Sequence, residues 1–184
     1  MRLDRSTTLL AVIDVQEKLA AVISEREAVE KNIERLIRGC HVLGIPLLIT
    51  EQYPQGIGTT TPAVRAALDA TTTTARPIQK MCFSAFGSPE FVSQLDFLGR
   101  RQILLAGIEA HVCVYQTAMD LLTNRYEVYV VADAVSSRAA QNKQLALDRL
   151  RLEGVRLTST EMALFELTEC AGTDEFRAIS KLVK

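Results

Sequence analysis

The sequence predicts an α/β fold: an open sheet of buried strands with helices on both faces. Three observations predict it. Apolar runs of strand length alternate with segments of helical periodicity along the chain. Those runs are apolar throughout rather than alternating, as parallel strands covered on both sides are. Glycine and proline punctuate the joins, with Gly44 and Gly154 placed to close helices and Pro89 at a first helical position.

The elements follow in order. Thr8–Ile13 reads as the first strand and ends at Asp14. Val29, Ile33, Leu36, Ile37, Cys40 and Leu43 fall on one helical face. Ile45–Ile49 is the next strand, with Pro46 tolerated near its start. Tyr53–Gly58 and the threonines at 59–61 mark a long loop, and a short helix follows Pro62, through Leu68. The threonines at 71–74 read as a solvated connection. Ala75–Lys80 is a short strand, and Ser88-Pro89-Glu90 opens a helix. Ile103–Ala106 is a buried strand running to Gly107, after which Val114, Ala118, Leu121 and Leu122 repeat at helical spacing. Glu127–Ala132 is a strand ending at Asp133, followed by a helix from about Ala139 to Glu153 and a final strand, Val155–Thr158. Phe176, Ile179 and Leu182 signal an amphipathic C-terminal helix whose apolar face would suit contacts between subunits. No linker, composition break or repeat divides the chain, so residues 1–184 read as one domain. Right-handed crossovers would bring every strand's C-terminal end to one edge, where such sheets bind ligands.

Composition narrows the partners. Lys plus Arg number 21 and Asp plus Glu 22, a formal net charge of −1. That balance favours neither nucleic acid nor an anionic membrane surface. No apolar run approaches the roughly 20 residues that span a bilayer, and the N-terminus shows no signal-peptide pattern. The four cysteines form no C-x-x-C pair, and only two histidines, His41 and His111, are present. These features predict a reduced, cytoplasmic protein without a zinc site, metal or cofactor. Nucleotide-phosphate loops are absent from the sequence.

Cys113 is the central candidate. It follows the strand ending near Gly107, where a helix begins, and unpaired N–H groups and the helix dipole there lower a thiol pKa. The alternative reading is a small apolar filler. Asp14 ends the first strand and serves either as a base for that thiol or as a helix N-cap. Lys80 either snorkels to water or stabilises a thiolate. His111 lies two residues from Cys113, which at a helix start points it to a different face. Glu51 is the one carboxylate on the proper edge that a metal could use.

Asp14-Val15-Gln16 after a strand, Lys80 after a second segment, and Gly107-Ile108-Glu109-Ala110-His111-Val112-Cys113-Val114 together resemble the isochorismatase-like cysteine hydrolases. Thr50-Glu51-Gln52-Tyr53-Pro54 and Asp133-Ala134-Val135-Ser136-Ser137-Arg138 are similar to the isochorismatase-domain-containing proteins and their bacterial relatives. The resemblance spans about Leu9 to Ser159. It implies a three-layer, Rossmann-like architecture with a six-stranded, mostly parallel sheet, and a tendency to form homo-oligomers. It also implies an Asp14–Lys80–Cys113 triad and a cis peptide bond at Ile108–Glu109. That bond would turn the Glu109 N–H toward the point addressed by the Cys113 N–H, forming an oxyanion hole. Family nicotinamidases hold a metal after the second strand through an Asp and histidines, whereas this chain has Glu51-Gln52-Tyr53. Members that cleave isochorismate generally lack the cysteine.

The resulting expectation is hydrolysis of a small amide or related C–N bond through a thioester. Leu19, Tyr53 and Phe83 are candidates for the pocket wall and are equally readable as core packing. A catalytically silent oligomeric binding or scaffold protein is the alternative. A redox-sensing thiol with Cys82 as partner of Cys113 is a third reading.

Overall fold

A computed structural model of the chain describes residues 2–71 and 75–184. Of the threonine run at 71–74, residues 72–74 lie outside the described residues. The order is β1 (Thr8–Ile13), α1 (Glu17–Ala20), α2 (Arg26–Val42), β2 (Leu47–Gln52), α3 (Pro54–Ile57), α4 (Pro62–Asp69) and β3 (Ile78–Lys80). A 3-10 turn at Ala85–Gly87, α5 (Pro89–Leu98), β4 (Gln102–Ile108), a π-helical turn at Ala110–Val114 and α6 (Tyr115–Thr123) follow. The chain then forms β5 (Glu127–Ser136), α7 (Ala140–Leu152), β6 (Arg156–Thr158), α8 (Thr160–Thr168) and α9 (Asp174–Val183).

The sheet has six strands in the order β3-β2-β1-β4-β5-β6. Every pairing is parallel, so the sheet is parallel throughout rather than mostly so. The strand order reverses direction between β1 and β4. In open α/β sheets the crevice outside the strand C-termini at such a switch point is where ligands bind.

Each face of the sheet buries one apolar cluster. On one face Leu10 and Val12 of β1 pack with Leu36 of α2, Val64 of α4, Leu164 of α8 and Ile179 of α9. On the other, Leu9, Ala11 and Ile13 pack with Phe91 of α5, Leu121 of α6 and Leu150 of α7. The alternation along β1 follows from the two-residue period of a strand. The apolar face of α9 is thus spent on the core, where Ile179 is fully buried and Leu182 packs beside it. This corrects the expectation that the C-terminal helix offers that face to another subunit.

The caps read from sequence are present. Ser88 accepts from Phe91 N–H ahead of Pro89, and Gly44 takes a left-handed φ of +66° beyond α2. Helix α8 is an addition. Its start is capped by Ser159, and Asp133 Oδ1 accepts from Thr160 N–H at 2.8 Å and from Thr160 Oγ at 3.0 Å. At the end of β4, Gly107 has φ +123°, and a Cβ there would stand 2.1 Å from the carbonyl oxygen of Ile13. Only glycine lets β4 lie this close to the end of β1, which brings the loops after the two strands together.

Candidate active site

The switch point collects residues from the ends of four neighbouring strands. Asp14 follows β1 with φ +51°, a left-handed conformation that Asp enters more readily than most residues. Its N–H donates to Thr50 O at 3.2 Å and its carbonyl accepts from Gln16 N–H at 2.8 Å. The carboxylate is fully buried. Oδ1 accepts from Thr50 Oγ at 2.7 Å, and Oδ2 accepts from Lys80 Nζ at 2.6 Å. Gln16, not Asp14, occupies the cap position of α1, so the capping alternative for Asp14 falls away.

Lys80 ends β3, and its side chain is only 1% exposed. Nζ also donates to Cys82 O at 3.0 Å and Phe83 O at 2.9 Å, so its three N–H donors are all used. It does not snorkel to water. A charge buried this deeply persists only when paired and hydrogen-bonded.

Cys113 lies inside the π-helical turn after β4, whose wide pitch is marked by Val114 N–H donating to Glu109 O at 3.2 Å. It is 3% exposed. Its Sγ–H donates to Gln52 Oε1 at 3.2 Å. Burial pushes the thiol pKa up, and the Asp14 carboxylate beside it pushes further, while Lys80 pulls the other way. This corrects the expectation of a pKa lowered by a helix N-terminus. The thiol sits within the turn rather than at its open end, and desolvation outweighs the dipole. Cys40, buried in the core, is pushed up to about 12 by burial alone.

The peptide bond Ile108–Glu109 is cis. The Glu109 side chain, buried beside the turn, accepts from Arg138 N–H at 2.9 Å and pairs with Arg138 Nε at 3.1 Å. His111 turns away from Cys113, with Nδ1 3.0 Å from Ser137 Oγ and Nε2 3.4 Å from Asn142. Of the suggested pocket residues, Leu19 packs against the core, whereas Tyr53 and Phe83 stay about half exposed on the segments after β2 and β3. All four cysteines are free, and Cys82 is exposed.

Glu51 is not placed as a metal ligand. Its Oε1 accepts from Thr60 N–H at 2.7 Å and Thr60 Oγ at 2.6 Å, and lies 3.4 Å from Arg65 Nη2. Among the described residues no group of three His, Cys, Asp or Glu is placed to hold a metal ion. Glu51 instead ties the 53–61 loop to the sheet. Glu51→Ala is expected to lower the unfolding free energy by about 2 kcal/mol, the worth of hydrogen bonds to a buried charged group. Urea denaturation would show a lower midpoint at unchanged slope.

Sequence reasoning quoted Thr50, Gln16 and Gln52 within motifs and assigned none of them a role in the site. All three are uncharged, and their partners are set by strand register, which no local pattern announces.

Comparisons with known proteins identify relatives of the chain and of its fold. The chain is 37% identical over 185 residues to the secreted isochorismatase effector Isc1 of Phytophthora sojae, covering 100% of this chain and 87% of the relative. It is 39% identical over 183 residues to isochorismatase domain-containing protein 2 of Danio rerio, covering 99% and 89%. The solved structure of MAR1 ribonuclease from Caenorhabditis elegans superposes with a TM-score of 0.92 at 33% identity, over 100% of this chain and 92% of that one. The fold alone is shared, at 22% identity and a TM-score of 0.86, with the Escherichia coli YcaC gene product, over 99% of this chain and 90% of that one; it is described as an octameric hydrolase of unknown specificity. The isochorismatase-domain model matches residues 8–162, and the chain belongs to the isochorismatase family.

Proposed function

We propose that the chain is a metal-independent cysteine hydrolase of small amides or related C–N bonds. The observation that carries this reading is the buried Asp14–Lys80 ion pair at 2.6 Å, whose charges both act on the Cys113 thiol. In the first step the S–H bond breaks and its proton passes to an Asp14 carboxylate oxygen. The sulfur pair forms a bond to the carbonyl carbon, and the C=O pair becomes an oxyanion held by the N–H groups of Glu109 and Cys113. The raised thiol pKa suits this order, because the proton leaves as the bond forms rather than beforehand. The oxyanion then collapses, the C–N bond breaks, and the proton on Asp14 goes to the leaving amine. Asp14 next takes a proton from water, the hydroxide adds to the thioester, and the C–S bond breaks as sulfur regains a proton. Lys80 keeps its proton throughout and offsets the negative charge on Asp14 and sulfur.

Two further observations support a small substrate. The thiol is nearly closed off from solvent, and the formal net charge of −1 gives a polynucleotide no attraction. The nematode neighbour is described as a ribonuclease, so RNA belongs in the test. Within this reading the protein works in a reducing compartment, which would keep its four cysteines free. It also works as a homo-oligomer, for which exposed Phe97 and Leu152 are candidate contact residues and the octameric bacterial neighbour is a precedent. No helix among the described residues is long and apolar enough to cross a membrane.

The test is intact-protein mass spectrometry after incubation with a panel of small amides, with a single-stranded RNA oligonucleotide in parallel. An acyl adduct mapping to Cys113 is the expected result. Cleavage of RNA with no adduct from any amide would overturn the reading.

A further inference from the structure

The Cys113 thiol is oriented by a residue that the mechanism above does not use. Its Sγ–H donates to Gln52 Oε1 at 3.2 Å, and the Asp14 carboxylate, which accepts from Thr50 and Lys80, stands beside the thiol as a second acceptor. Gln52 is the last residue of β2 and is buried. Its own Nε2 reaches only Met81 O, at 3.5 Å, the outer limit of a hydrogen bond.

Gln52 is held in place from both sides by one side chain. Gln52 N–H donates to Gln16 Oε1 at 2.7 Å, and Gln52 O accepts from Gln16 Nε2 at 2.9 Å. Gln16 Nε2 also donates to Gly58 O at 2.6 Å, and the residue is fully buried. This clasp supplies the bonds of a strand neighbour beyond Val12↔Ile49, the last paired rung between β1 and β2. Stability alone does not account for the arrangement. A thiol is a weak donor, so a buried carboxamide oxygen aimed at one returns little for its desolvation. Orientation of the sulfur does account for it.

We infer that Gln52, clasped by Gln16, is a positioning residue for Cys113, its carboxamide holding the sulfur where the proton can pass to Asp14. The inference rests on the reading of Cys113 as nucleophile. Gln52 gains and loses no proton. In the resting site its oxygen accepts from the thiol. As the proton moves to Asp14, rotation about the soft terminal amide torsion presents an N–H to the negative charge growing on sulfur instead. A glutamate could serve the first role and not the second, which makes Gln52→Glu diagnostic.

The experiment reads the S–H stretching band of Cys113 by infrared difference between the wild type and Cys113→Ala. The expected band lies at lower wavenumber than that of a thiol without an acceptor. Gln52→Met should shift it away from the wild-type position, and Gln52→Glu should keep it where the wild type has it. Gln52→Glu should also slow iodoacetamide alkylation of Cys113 by roughly tenfold at neutral pH, the effect of a one-unit rise caused by a like charge. A wild-type band at the acceptor-free position overturns the inference, even if Gln52→Met fails to fold. So does a Gln52→Met band that superimposes on the wild type, since a merely structural role would lower Tm and leave the thiol band unmoved. No turnover enters these readings. A fully active Cys113→Ala variant would sink the nucleophile whatever the band shows.

Discussion

Replacing Cys113 by alanine is expected to lower the turnover of an amide substrate by about 10⁴-fold or more, as the loss of a nucleophile does in comparable hydrolases. The fold should survive. The side chain removed is small, and Cys113 sits in a cluster that includes Ala110, Val114 and Leu105, which can close around a lost sulfur. Its far-ultraviolet circular dichroism should match the wild type, and steady-state kinetics on the amide identified by adduct mapping would measure the effect. Retained turnover in a folded variant would remove Cys113 from the reaction and leave the buried ion pair as a structural feature alone.

Asp14→Asn is expected to abolish turnover and also to destabilise the chain by about 3–5 kcal/mol, the cost of leaving a buried charge without its partner. The Lys80 ammonium would remain 1% exposed, facing a neutral amide and two carbonyl oxygens. Lys80→Met should cost a similar amount, because the Asp14 carboxylate would keep only Thr50 Oγ among its side-chain donors. The double variant separates the two roles. With no charge left to strand, it should recover much of the stability lost in either single variant while staying inactive. Urea denaturation of the four proteins completes the cycle. A double variant as unstable as the sum of the singles would show that the pair is not coupled.

The parts of the fold that rest on apolar periodicity were legible in the sequence. Thr8–Ile13 has the bounds of β1, and the face running from Val29 to Cys40 is the buried face of α2. The misplaced boundaries are polar. Strand β2 begins two residues later than Ile45 and runs on through Glu51 and Gln52. Those residues look like loop until Thr60 is seen to satisfy the Glu51 carboxylate and Gln16 the Gln52 backbone. Strand β5 likewise continues past Asp133, whose carboxylate is taken up by the start of α8. In the site, Asp14, Lys80 and Cys113 each carried an ordinary reading as cap, surface lysine or filler, and the family resemblance joined them as a triad. The direction of the thiol pKa did not stand out, because it depends on depth of burial, which only the packed helices decide. The short helices α1 and α3 were missed for another reason. Four residues are too few to show a period.

The strand that carries Lys80 has only three residues and lies at the margin of the sheet. Marginal strands open more cheaply than central ones. Detachment of that one strand would remove the ammonium while base, thiol and core stayed in place. Under the proposed mechanism a local opening far smaller than denaturation would thus be enough to silence the site.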